Sequence, residues 1–176
     1  MWVSATAPEI FYLVRAMRKA RLDIPAILQK TRVTEGLDFN ARATVIHDCP
    51  LLVEDSCSVY ADRPIVCRTA VSSDAEICRR GYLELSGEPI PVPVFFNVQR
   101  AGYWMALRGA FLHAGLRLEA FELNEALAVA IETEDAERRW LAGENIFADC
   151  QIDPVPNPVD HPASRRLFAE TFGAFG

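Results

Sequence analysis

The chain has 176 residues, 51% of them hydrophobic and 24% charged, which is enough apolar material for one globular body with a sizeable core. Eighteen Lys and Arg against twenty-four Asp and Glu leave a net charge of -6, a field that repels phosphate backbones and anionic lipid and so disfavours general nucleic-acid binding. No run approaches the roughly 20 apolar residues of a membrane span, and Glu9 precedes any Arg or Lys, the reverse of a signal peptide's charge order; the expectation is a cytoplasmic protein.

In chain order, Thr6-Ala7-Pro8-Glu9 has the form of a capping box, and Ile10, Leu13, Val14 and Met17 then repeat at helical spacing, predicting an amphipathic helix to about Arg21. Asp23, with Pro25 just inside, opens a second helix that carries Ile24, Ile27 and Leu28 on its buried side, with Gly36 beyond its end. The two together predict a helical hairpin. Arg15, Arg18, Lys19, Arg21, Lys30 and Arg32 form a basic patch on it, read as a solvated helix face. From Asp48 to Thr69 neither a period of 2 nor one of 3.6 is sustained, and cysteines, Pro50, Pro64 and charges intervene. Ser73 or Asp74 caps a helix through Ile77, Cys78 and Tyr82 to about Leu85.

Prolines alternating with aliphatics over residues 88–94 forbid a helix interior or a central strand and predict an extended connector. A long helix follows from Phe96 to Ala114, with Trp104, Leu107 and Phe111 on one stripe as core and Gly115 at its end. Leu123, Leu127, Ala130 and Ile131 mark another helix, and Thr133 opens a short one with Ala136 and Trp140. No run reads as a strand. The expected architecture is mainly α: one helical domain over residues 1–153 packed around an irregular cysteine-rich segment, then a Pro-rich linker and tail over residues 154–176, in which Leu167, Phe168 and Phe172 are spaced for an amphipathic turn.

Five cysteines in a reducing compartment point to metal ligands, catalytic thiols or small buried residues rather than to disulfides. Cys49, Cys57, Cys67 and Cys78 follow C-x7-C-x9-C-x10-C, without the C-x-x-C knuckles of ordinary zinc fingers. An irregular segment buries little apolar surface by itself, and a bound metal is an economical way to hold it. Metal-bound thiolates carry negative charge, which Arg63 and Arg68 are near enough in sequence to offset, while Pro64 shapes the turn that returns Cys67 toward Cys57. Cys150 stands apart and reads as a bystander; His47 reads as a loop histidine, and His113 and His161 have no evident partner.

The words between the cysteines are more specific than their spacing. Cys49-Pro50-Leu51-Leu52, followed by Cys57-Ser58-Val59-Tyr60-Ala61-Asp62-Arg63-Pro64-Ile65-Val66-Cys67-Arg68, resembles the C-P-x-L and C-x-[IV]-Y-x-x-R-P-x-x-C-R signature of the YkgJ-type cysteine-cluster family of zinc- or iron-chelating proteins. The resemblance implies Cys49, Cys57 and Cys67 as metal ligands, with Cys78 carried over from one branch of the family, and Tyr60, Arg63, Pro64 and Arg68 at the intervening positions. It covers about thirty residues. The family also carries a C-x-x-C-C-type cluster ahead of a segment like residues 3–10; no such cluster precedes it here, so this chain is expected to hold part of the family's ligand set.

The expected function is binding of zinc or iron through cysteine thiolates in a structural or accessory role, with a metal ion as the partner, no nucleic acid and no membrane. The alternative is an iron–sulfur cluster with a redox or protein-methylation-related role. A weaker reading, a thiol enzyme using Cys67 and His47, lacks a base-and-orienter set, and no P-loop, G-x-G-x-x-G, G-x-S-x-G or H-E-x-x-H motif supports another enzyme class.

Overall fold

The computed structural model describes residues 2–117 and 119–150; His161 and the linker and tail expected over residues 154–176 lie outside these. The first helix, α1 (Ala7–Lys19), starts as its sequence dictates: the Thr6 N–H and hydroxyl donate to Glu9 at 2.9 and 2.8 Å, and Pro8 occupies the first turn, where no helical N–H is needed. The predicted stripe of Ile10, Leu13, Val14 and Met17 is buried, joined by Phe11. Helix α2 (Ile24–Thr31) is capped by Asp23, which accepts from the Ala26 N–H at 3.1 Å. A 3-10 turn over Arg32–Thr34 and the short α3 (Phe39–Arg42) follow.

Helix α4 (Ile65–Thr69) breaks the irregular segment, and α5 (Ala75–Leu83) is capped by the Asp74 carboxylate as expected. The long helix α6 (Val94–His113) begins two residues before the predicted Phe96, directly after Pro93, and buries Trp104 and Phe111. Helix α7 (Leu123–Glu132) and the short α8 (Ala136–Leu141) complete the described chain. Asp135, at φ +53, precedes α8, so Asp135 and not Thr133 sets its start. The molecule is mainly helical, and no helix among the described residues is long and apolar enough to cross a membrane.

The strands are a correction to the sequence reading. β1 (Ser4–Thr6) pairs antiparallel with β4 (Ala120–Glu122), Ser4 opposite Glu122, and β2 (Leu52–Val53) pairs with β3 (Ser56–Cys57). Three residues are too few to establish alternation, and all three of β1 are buried, so neither face of it is marked by polarity. The β1–β4 pair sets α1 and α7 side by side, and the core forms between them from Leu13, Met17, Leu123, Ala126 and Leu127. Phe11 meets Trp140 edge-on with centroids 5.8 Å apart and Phe147 at 5.7 Å, and Phe147 continues to Phe121 at 4.9 Å.

Inside this core lies an ion pair between Arg42 and Glu122. Arg42 Nη1 donates to Glu122 at 2.7 Å, with both side chains 1% exposed. Glu122 also accepts from the Glu125 N–H at 2.9 Å, which caps α7, and burial pushes its carboxyl upward against the opposing pull of that N–H and of Arg42. The Trp2 ring covers the guanidinium, whose centre is 5.5 Å from the ring centroid, while Arg42 Nε and Nη2 find no hydrogen-bond partner among the described residues. A buried cation so sparsely satisfied depends on its one anion. Glu122→Gln is therefore expected to cost about 3–5 kcal/mol of unfolding free energy in urea titrations. Adding Arg42→Met to it should recover most of that loss, since the remaining Gln carbonyl still caps α7; no recovery would assign the loss to something other than the stranded charge.

Candidate functional site

The cysteine segment is held by the helical body rather than by itself. The Leu52 N–H donates to the Cys49 carbonyl at 2.9 Å, closing a turn with Pro50 at its second position, and Pro50 and Leu51 (3% exposed) plug into the core. The chain then reverses between β2 and β3 at Glu54 and Asp55, which have φ +48 and +59, the two-residue geometry whose twist suits a hairpin. That reversal sets Cys57 opposite Leu52. The Ser58 N–H and hydroxyl both donate to the Leu51 carbonyl at 2.9 Å, and Val59, 4% exposed, is the second plug.

Four side chains from the body tie this segment down. Lys30 of α2 donates to the Leu52 carbonyl at 3.0 Å. Tyr82 of α5 donates to Asp48 at 2.6 Å and reaches the His47 carbonyl at 3.2 Å, fixing the residues just before Cys49; its phenol is pushed up to about 12, chiefly by the Asp48 carboxylate. Tyr12 of α1 donates to Asp62, which raises the Tyr12 phenol as well. Glu9 accepts from the Ile65 N–H, the first of α4, at 2.8 Å. None of these partners was legible in the sequence, because each joins residues far apart in the chain and belongs to no motif.

The signature residues Tyr60, Arg63, Pro64 and Arg68 build the turn that leads into α4. Arg63 Nε donates to the Tyr60 carbonyl at 3.0 Å and lays its guanidinium 3.5 Å from the centroid of the Tyr60 ring, which is 64% exposed. Arg68 donates to the carbonyls of Arg63 (2.7 Å) and Ala61 (2.5 Å). Pro64, at φ -56, stands immediately before α4. Both arginines thus bond carbonyls rather than sulfurs, and Arg63 acts on Cys67 through its charge.

Cys49, Cys57 and Cys67, which come from a turn, a strand and a helix, occupy one electrostatic neighbourhood. Burial first, then the charges of Cys49 and Cys57, push the Cys67 thiol up to about 11, while Arg63 pulls it down. Cys49 is raised by burial and by Cys57, and its sulfur accepts from the Leu51 N–H, which favours the thiolate. Cys78 is exposed on α5, one turn inside it, and its charge figures on neither Cys49 nor Cys67. Cys150 is buried in the core, pushed up to about 12 by burial and by Glu125, Glu122 and Asp149. His47 is half-buried, and its imidazole is lowered by that burial; His113 is exposed. Among the described residues no three or more His, Cys, Asp or Glu side chains form a group that could hold a metal ion, so the three cysteines influence one another's charge without forming a coordination site.

Comparison of this chain with protein-family models, with curated proteins and with solved structures finds no match. A thiol held near 11 is the reverse of an activated nucleophile, which weighs against the Cys67–His47 enzyme reading. Three soft sulfur donors with a cation and a backbone N–H beside them suit a thiophilic metal. In metal-free protein, alkylation of Cys67 is expected to quicken about tenfold per pH unit from 8 to 10 as its thiolate appears; a plateau below pH 9, followed by mass spectrometry of the labelled peptide, would show an unperturbed thiol instead.

Proposed function

We propose that this protein binds zinc or iron through the thiolates of Cys49, Cys57 and Cys67, in a structural or accessory role of the kind the YkgJ-type signature implies. What supports this reading is that Cys49, Cys57 and Cys67, carried by three different elements, act electrostatically on one another. A bound cation takes the place of the thiol protons and offsets the mutual repulsion of the thiolates that form. The Leu51 N–H on the Cys49 sulfur and the Arg63 charge near Cys67 supply compensation of the sort metal thiolates require. Cys78, exposed on α5, is left out of the proposed set. A single ion is preferred to an iron–sulfur cluster, because such a cluster takes four cysteines and, among the described residues, Cys78 is exposed on α5 and Cys150 buried in the core, which leaves three.

Metal uptake must displace the protons that burial holds on Cys49 and Cys67, so affinity rises with pH. Protein purified without oxygen should carry about one zinc or iron per chain by elemental analysis. Cys57→Ser and Cys67→Ser should each lower that content markedly, and Cys150→Ala should keep it while lowering the melting temperature, because Cys150 is part of the core. Equal metal content in all four proteins would defeat the proposal. Visible absorption that is lost in air would replace the single ion by an iron–sulfur cluster.

A further inference from the structure

Glu9 belongs to the capping box of α1, yet its carboxylate does more than a capping box needs. Oε2 accepts from the Thr6 N–H at 2.9 Å and the Thr6 hydroxyl at 2.8 Å. Oε1 accepts from the Ile65 N–H at 2.8 Å, across 56 residues of sequence. One half-buried anion therefore serves the first turns of two helices, each of which presents unpaired N–H groups and the positive end of its dipole. The second of these, α4, has five residues, too few to persist without tertiary support, and Cys67 is its third. Among the described residues no other group bonds the Ile65 N–H, and the charge of Glu9 is felt at Cys67.

We infer that Glu9 is the positioning residue of the thiol site: by holding the N-terminus of α4 against that of α1, it sets Cys67 beside Cys49 and Cys57. This inference rests on the metal-binding reading for its purpose, but the geometry it describes belongs to the metal-free protein. Glu9 touches no sulfur. Its part is to keep the helix that carries Cys67 folded and docked, so that metal entry does not first have to order that segment. Charge-assisted hydrogen bonds to backbone N–H groups are strong enough for that duty.

The test compares Glu9→Gln with Asp23→Ala, a control that removes the cap of α2 only. A glutamine offers a single acceptor oxygen and turns an N–H toward the second donor, so it is unable to serve both helices. In metal-free protein, hydrogen exchange of the α4 amides should accelerate about tenfold or more in Glu9→Gln relative to the α7 amides, and should follow the α7 amides in Asp23→Ala. With cobalt as the probe, sulfur-to-cobalt charge-transfer absorption per bound ion should fall by about a third in Glu9→Gln, as Cys67 drops out, and stay unchanged in Asp23→Ala. Uniform acceleration of all amides, or an unchanged α4, would overturn the inference. If the unsubstituted protein takes up no cobalt, the metal reading fails while the exchange comparison still decides the role of Glu9. Should Glu9→Gln not fold, Glu9→Asp, one methylene too short to span both helices, is expected to protect α1 and release α4; retained α4 protection in it would count against the inference.

Discussion

Glu122 ends a strand, caps a helix and neutralises a buried arginine. As the last residue of β4 it sits opposite Ser4, as the residue before α7 it accepts from the Glu125 N–H, and as an anion it holds Arg42 at 2.7 Å. These three tasks share one carboxylate, so the position of β1, the direction of α7 and the burial of α3's last residue are set together. A one-residue slip of the β1–β4 register would turn Glu122 to the opposite face and strand Arg42 in the core under Trp2. The pair adds little net stability of its own, given the cost of desolvating both charges, but it excludes the neighbouring arrangements. Because α1 follows β1 and α7 follows β4 without a break, the register also decides how Leu13 and Met17 meet Leu127.

That docked pair of helices is the platform for the cysteine segment. Leu51 and Val59 enter the core, Lys30, Tyr12 and Tyr82 grip the chain between them or beside it, and Glu9 holds α4. The segment therefore owes its shape to contacts with β1, α1, α2, α5 and above all α6, against which α4 packs, and not to an internal core. Its apolar plugs are few and its ties are polar, which leaves the sulfurs partly accessible while their carriers stay in place. Burial raises the Cys49 and Cys67 thiols and keeps them protonated until something able to replace a proton arrives.

Much of the helical architecture was legible because it is local. Thr6 and Glu9, Asp23, and Asp74 mark helix starts through their own neighbours in sequence, and the spacing of Ile10, Leu13, Val14 and Met17 records one buried face. The β1–β4 pair was not legible, since strands of three mostly buried residues carry no alternation and the two stand more than a hundred residues apart in the chain. Arg42 looks like any polar residue in a short helix; nothing near it in sequence announces a partner at position 122. At the thiol site, the C-P-x-L and Y-x-x-R-P words translate into a proline turn, two carbonyl clamps and a cation over a tyrosine ring. Cys78, which the resemblance carries over from one branch of the family only, is exposed on α5, a placement that the spacing of the cysteines does not encode.

The distance along the chain between β1 and β4 has a consequence for how the molecule is made. During synthesis Ser4, Ala5 and Thr6 emerge long before Ala120 to Glu122, so the hydrophobic face of α1 must wait, unpaired, until nearly all of the described chain has left the ribosome. The hairpin at Cys57 and the turn at Cys49 form from adjacent residues and need no such delay, but the surface they plug into does not yet exist. Nascent protein thus passes through an interval in which reactive sulfurs are exposed together with sticky helices, and its yield depends on how a cell shortens or shields that interval.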